Sequence, residues 1–426
     1  MAAIQATIDA AAETAKYLAT LSPEAHAKAT AYTQDGHWLL LWGTLVAIAV
    51  SWIIIRTGVL SRISKGRAGW LAVLAVIPVW FLLDSLLNLP WSVYTGWWRQ
   101  TQYGLSSQAL GGWFEDWGKG LVIGLIMNLI LFSVIYLVIR LSPKRWWLWG
   151  GLVSSAFLIF AIVLAPVLIE PMFNKYTPAP PGEVRDTVVA MAKANGVPSD
   201  KIFIYNGSKQ SNRYTANVSG LFGSARVAMS DTMFKKGADI SEVRGVVGHE
   251  MGHYVHMHVL WFAGAFSLMA MIGFWLAGRL FPIAARLMGS GVESIADPAG
   301  LPVLTAVLAV LSLLGTPLQN SVIRLAEADA DNFSLQRVNE PDGLAKALVK
   351  TIEYRAATPG QLEEILFYDH PSVGWRVRNA MDWKAAHPKS TTVLIDMAPD
   401  SYPTTQAPPP AEPVMPTPKP GFQGPQ

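Results

Sequence analysis

One pentapeptide in the chain has the means for hydrolytic chemistry: His249-Glu250-Met251-Gly252-His253. Residues four apart on a helix share a face, so both imidazoles of this HExxH pattern can reach a single ion. Zinc accepts neutral imidazole nitrogens and, in a hydrolase, leaves a position for water. The ion brings the pKa of that water towards neutrality and polarises a scissile carbonyl. Glu250, beside the first ligand, is placed to take the water's proton as general base. The chain has no cysteine, so any further ligand must be His or a carboxylate. Glu327, in Glu327-Ala328-Asp329-Ala330-Asp331, is available, and Asp331 one turn beyond it can orient a histidine ligand from behind. Alone, that acidic run also fits a solvated helix face. Together with HExxH it predicts one Zn2+ per chain, held by His249, His253 and Glu327.

These residues need rigid elements. No proline interrupts Glu242–His258, Ser241 can cap the start of a helix there, and Glu242 lies in its first turn. The motif helix is expected to run without a break into an apolar stretch at Val259, which sets the metal at, or slightly inside, a membrane surface. That position suits a substrate that arrives from the bilayer or carries a lipid. The spacing of His256 and His258 from His253 does not put both on the ligand face. They read as interfacial polar residues, His258 the nearer to the site. His370, just before Pro371, reads by itself as a turn residue.

The remainder of the chain explains the apolar stretch. Of its 426 residues 51% are hydrophobic and 15% charged, with a mean hydropathy of +0.31, which excludes a fully soluble protein. The net charge of +3 comes without a basic block, so nucleic acid is not an expected partner. Apolar runs of spanning length cover Trp38–Ile55, Ala68–Leu89, Gly120–Ile139, Trp146–Ile169, Val259–Gly278 and Leu301–Leu318. Trp91, Tyr94, Trp97, Trp98, Trp146, Trp147 and Trp149 crowd their ends as an aromatic belt. Between the fourth and fifth runs, Val184–Asn195 has helical periodicity, and Ile202–Tyr205 and Ala225–Met229 read as short strands joined by a loop over 206–223.

The expected organisation follows. A polar segment 1–37 precedes four spans in 38–169, a catalytic segment 170–258 carries HExxH, two spans follow in 259–320, and 321–386 brings the third ligand. The tail 387–426 is rich in Pro, Thr and Gln, cannot build a core and is expected to be disordered. The fold class is mainly α: a multi-pass membrane protein of the cell (inner) membrane, with a small α+β metallopeptidase domain. Six spans put both termini and both catalytic segments on one side. The opposite loops carry Arg62, Lys65, Arg67, Lys144 and Arg145, which by the positive-inside rule places the catalytic domain outside.

From about Trp70 to Trp383 the chain resembles the integral-membrane zinc metallopeptidases typified by the type I CAAX prenyl endoprotease. The likeness rests on the order and spacing of Leu89-Pro90, Tyr103-Gly104-Leu105-Ser106, Pro171-Met172-Phe173-Asn174-Lys175, Gly207-Ser208-Lys209 and Asp231-Thr232. It continues through the HExxH motif, Glu327-x-x-Ala330-Asp331, and His370-Pro371 with Arg376. The resemblance implies a ring of membrane helices enclosing a chamber, with the zinc site near one end. It implies zinc ligation by His249, His253 and Glu327, and Glu250 as catalytic base. His370 and Arg376 are implied to line the active site, where they contact the substrate backbone or stabilise the developing oxyanion. Arg226, Val227 and Ala228 are implied to lie on an edge strand that takes the substrate by strand addition. Thr215-Ala216 stands where the family has Asn-Ala, and six spans stand where eukaryotic members have seven. The family places its catalytic domain in the cytosol, opposite to the loop charges.

Two substrate classes share this chemistry: lipidated C-terminal peptides, and damaged membrane proteins in a quality-control role. Thr215 weighs against a dedicated prenyl-peptide role. A different class is a catalytically silent scaffold or transporter with structural zinc. Against it stands Glu250, which a structural site would not need.

Overall fold

Among the described residues the apolar runs fold as six helices long enough to cross a membrane. They are α1 (Pro23–Thr57), α2 (Gly69–Leu87), α3 (Leu110–Leu141) and α4 (Trp146–Ile159, prolonged by the π-helical turn Phe160–Leu164). After the intervening α5 (Glu183–Ala194) and α6 (Ile240–Val255) come α7 (His258–Leu287) and α8 (Leu301–Arg337). This computed structural model describes residues 8–387 except 68, 214, 221–224, 236 and 352–354. All but the first residue of the Pro-rich tail lies outside the described residues.

The spanning helices close a ring. α1 packs on α2, α2 on α3, α3 on α4, α4 on α7, α7 on α8, and α8 back on α1. At one end α2 also touches α8, and the ring is plugged there by Ile54, Ile77, Trp80, Tyr136, Phe281 and Leu304. The basic loops gather at this plugged end, where Arg140 donates to the Gly69 carbonyl (2.8 Å). Exposed Leu268, Ile272, Ile283, Leu314 and Leu318 are suited to lipid rather than water.

At the other end sits the smaller domain that carries the HExxH helix. Its four-stranded sheet comprises β1 (Tyr176–Pro178), β2 (Ile202–Tyr205), β3 (Ala216–Ser219) and β4 (Arg226–Ser230), in the order β1-β2-β4-β3. Two of these strands, β1 and β3, go beyond the two expected from the sequence. β4 pairs in parallel with β2 and antiparallel with β3, so it lies inside the sheet. The expectation that Arg226, Val227 and Ala228 form a receptive edge is therefore overturned. Both flanks of that strand are paired and all three residues are buried. Arg226 instead donates to the Pro166 carbonyl, lies 3.3 Å from Glu170 and stacks over Tyr176. Among the described residues, β3 is an edge.

The domain is braced to the ring by the short motifs that carried the family resemblance. Ser107 Oγ donates to the Ser208 carbonyl (2.6 Å) and Asn212 N–H to that of Leu105 (3.0 Å). Asp231 accepts from both the amide (2.8 Å) and the hydroxyl (2.6 Å) of Ser208.

α6 departs from expectation at both ends. Asp239, not Ser241, caps its start by accepting the Glu242 amide at 2.9 Å, and Ser241 Oγ donates to that same carboxylate. At the other end the helix does not continue into the membrane. It stops at Val255, and Met257 adopts a left-handed backbone (φ 52°) before α7 begins. α8, by contrast, is continuous to Arg337, so Glu327 stands on the last spanning helix itself rather than on a following one.

Close approach sets the register of these helices. A Cβ on Gly248 would lie 2.7 Å from Ser334 Oγ, and one on Gly252 would lie 3.0 Å from Ala330 Cα, both on α8. A Cβ on Gly245 would meet the Leu344 amide nitrogen at 2.6 Å, in the helix α9 (Pro341–Lys350). Gly245→Ala is therefore expected to destabilise the protein by about 1–3 kcal/mol, because the obstacle is backbone that cannot turn aside. Gly264→Ala on α7, where nothing lies within 4 Å, should leave the thermal midpoint in detergent unchanged.

Candidate active site

The glycine face of α6 brings its neighbouring face to α8. There His249 Nε2 lies 3.2 Å from His253 Nε2 and 3.2 Å from Glu327 Oε2, and His253 Nε2 lies 3.4 Å from Glu327 Oε1. The three form a group of potential metal ligands.

Three observations test whether an ion fits. Metal–nitrogen bonds of about 2.0–2.1 Å at tetrahedral angles give ligand separations of about 3.3 Å, which these edges match. Glu327 Oε2 is buried and finds no hydrogen-bond donor among the described residues. The site is also short of positive charge. Burial alone would lower the His249 pKa, but Asp331 and Glu327 outweigh it and carry it up to about 10. The donor set of two imidazoles and a carboxylate suits zinc.

Behind this triangle His249 Nδ1 lies 2.8 Å from Asp331 Oδ1. With Nε2 turned to a metal, Nδ1 carries the proton and donates it to Asp331, which fixes the ring's tautomer and orientation. Arg376, on α10 (Val373–Ala386), donates to Asp331 through both Nε and Nη2, each at 2.6 Å. This corrects the reading of Arg376 as a substrate-facing or oxyanion group. Its guanidinium is buried behind His249 and committed to Asp331, making it a positioning residue.

His370 does come to the centre, although a lone histidine before proline gave little sign of it. Its Nε2 lies 3.2 Å from Glu327 Oε2, and Asp369 lies 2.9 Å from its Nδ1. Burial, and then Arg355, lower its pKa below 6.5, so it is uncharged at neutral pH. Glu250 sits between the two imidazole-bearing positions, and burial pushes its carboxyl above the usual 4.5 against the opposing pull of His249 and His253. Among the described residues no hydrogen bond ties its carboxylate down.

Thr215 is exposed just ahead of β3, with Tyr205 Oη at 2.7 Å, and its carbonyl accepts from the Ser230 amide of β4. Ala216 opens the edge strand. Sequence reasoning passed over a further contact: His258 Nδ1 lies 2.9 Å from His253 Nδ1, and His258 Nε2 lies 3.0 Å from Asp329. The only sign in the sequence was the crowding of four histidines within residues 249–258.

Asp331→Asn and Arg376→Ala should each weaken metal retention on the order of 10–100-fold while the chain stays folded, since both act through the orientation of His249. Competition against a chelator of known affinity measures this. Unchanged retention in both variants would remove the assigned role.

Comparison with known proteins agrees with this architecture. Residues 178–384 match the family model described as Peptidase family M48. Residues 7–175 match the model described as CAAX prenyl protease N-terminal, five membrane helices; among the described residues, four helices there are of spanning length. An uncharacterised metalloprotease of Bacillus subtilis, YhfN, is 28% identical over 84% of this chain and 86% of its own length. A CAAX prenyl protease 1 homolog of Arabidopsis thaliana is 26% identical over 84% of this chain and 88% of its own. The crystal structure of S. mikatae Ste24p superposes with a TM-score of 0.70 over 85% of this chain and 90% of its own, at 21% identity, and shares the fold. The two adjoining matches leave the chain a member of peptidase family M48, a membrane metalloprotease of the CAAX prenyl protease type.

Proposed function

We propose that the protein is a zinc endopeptidase that cleaves membrane-associated or lipidated peptides, with Glu250 as general base. The observation that carries this is the convergence of His249, His253 and Glu327 at the unplugged end of the helix ring. These three residues would hold one zinc ion per chain, and the bound ion would supply Lewis acidity to polarise the scissile carbonyl and acidify water.

The chain's own residues do the rest. Glu250 accepts the proton of the attacking water and returns it to the leaving amine. Its raised pKa makes it a better proton acceptor than an ordinary surface glutamate. Neutral His370 donates its Nδ1 proton to Asp369, so its Nε2, beside Glu327, is an acceptor suited to an N–H of the substrate backbone. Asp331 and Arg376 hold the His249 ring still, so no reorganisation of the ligand is needed during the reaction.

The substrate backbone is held by the edge of β3. Thr215 is hydrogen-bonded inward to Ser230, and antiparallel pairing alternates, so the N–H and C=O of Ala216 point to the unpaired side. A peptide in extended form adds there as a fifth strand. Its membrane-anchored end is directed towards the ring of membrane helices. A lipid-bearing substrate agrees with the relatives named CAAX prenyl protease 1.

Three outcomes follow. Glu250→Gln should lower kcat on a quenched peptide by on the order of 10²–10⁴ at unchanged zinc content. Phenanthroline should abolish wild-type cleavage and added zinc should restore it. Equal cleavage by wild type and variant would refute the mechanism. Ala216→Pro removes an outward N–H without breaking a sheet hydrogen bond, and should raise KM with little effect on kcat; a fall in kcat alone would refute strand addition.

A further inference from the structure

A second set of metal-type ligands lies one turn beyond the first. His256, His258 and Asp329 offer ligand atoms that all fall within 4.8 Å of one another. In an unbroken helix, residues two apart point in nearly opposite directions and could not share an ion. The left-handed backbone of Met257 removes that obstacle. It turns the chain between α6 and α7 so that both rings meet the same Asp329 oxygen. His258 is the buried anchor of the group, at 4% side-chain exposure, while His256 and Asp329 are 40% and 45% exposed. The group is thus open to ions from water. Two imidazoles and a carboxylate suit zinc and its chemical neighbours.

The two sets are not independent, because His258 Nδ1 touches His253 Nδ1 at 2.9 Å. With an ion on His253 Nε2, the His253 proton sits on Nδ1 and is donated to His258 Nδ1. His258 then carries its own proton on Nε2 and donates it to Asp329. An ion on His258 Nε2 displaces that proton to Nδ1, where it confronts the N–H of His253. The contact between the two rings must then open, and His253 loses the partner that orients it.

We propose that His256, His258 and Asp329 form an accessory site for a zinc-class divalent cation, and that its occupancy inhibits the enzyme by uncoupling His253 from His258. The binding half stands on these residues alone. The inhibitory half rests on the reading of His253 as a ligand of the catalytic ion.

The test uses full-length protein in detergent, titrated with zinc, with bound metal counted by mass spectrometry after equilibrium dialysis. Wild type should take up a tightly held ion and then a weaker second one. His256→Ala removes an exposed ligand outside the catalytic set; it should keep the tight ion and its basal peptide cleavage but take up no second ion. As the second site fills, wild-type cleavage should fall about ten-fold or more, while His256→Ala keeps its rate. Failure to bind a second ion, or a second ion that His256→Ala also binds, would overturn the site. A second ion that leaves cleavage unchanged, or equal inhibition of both proteins, would overturn the inhibition and assign any loss to the catalytic ion's own surroundings. Absence of the tight ion from wild type is a separate result, which would count against the proposed function instead.

Discussion

The approach of the motif helix to the last spanning helix is the constraint on which the site depends. Two imidazoles and a carboxylate must bring their tips within 3.2–3.4 Å of one another from separate helices, and none of these side chains is long. Gly248 and Gly252 let the helices touch backbone to side chain, with no room for a methyl group between them. The same contact buries Asp331 and Glu327 together. Arg376 compensates one of these carboxylates through its bidentate fork, and the other is left facing two imidazoles. Such a cavity is costly without a cation, since a buried charge needs a partner of opposite sign. Folding therefore prepares an electrostatic demand that a divalent ion meets.

The ring of membrane helices gives that demand a location. One end is closed by interlocked aromatic and aliphatic side chains, with α2 reaching across to α8. The other end carries the domain with HExxH, pinned where Ser107 donates to the Ser208 carbonyl and Leu105 accepts from the Asn212 amide. Because α8 is one continuous helix from the plugged end to Arg337, Glu327 is held by a membrane element. The HExxH histidines belong instead to the water-facing domain. The site is thus assembled where the two parts of the molecule meet, and any motion of one against the other would be felt at the metal.

Local patterning made much of this legible. HExxH, the Glu327 run and six apolar stretches are short-range signals, and each corresponds to a feature of the structure. What escaped was either non-local or hidden in ordinary residue types. Sheet order is set by pairing across distant segments, so nothing in Arg226–Ser230 announced an interior strand, and the polar sequence of β3 gave little sign of an edge. The break at Met257 occurs without glycine or proline, the usual markers of such a turn. Arg376 was read as substrate-facing because a sequence does not show which side of a histidine an arginine will occupy. Asp239 took the cap expected of Ser241 because either residue can accept the Glu242 amide, and a shift of two positions lies within the imprecision of helix ends.

The two histidine ligands are supported in physically different ways, and this asymmetry is informative. His249 is backed by Asp331, which is fully buried and clamped by Arg376, so its orientation is shielded from solvent and salt. His253 is backed by a second imidazole, which itself leans on the half-exposed Asp329. An imidazole pair has one proton to share across its contact, so the arrangement holds only while the outer nitrogen of His258 keeps its own. The backing of His249 has no such exchangeable member within reach of water. Solution conditions can therefore alter the setting of His253 far more readily than that of His249. The turn at Met257, where the catalytic domain meets the membrane, is where that sensitivity is built in.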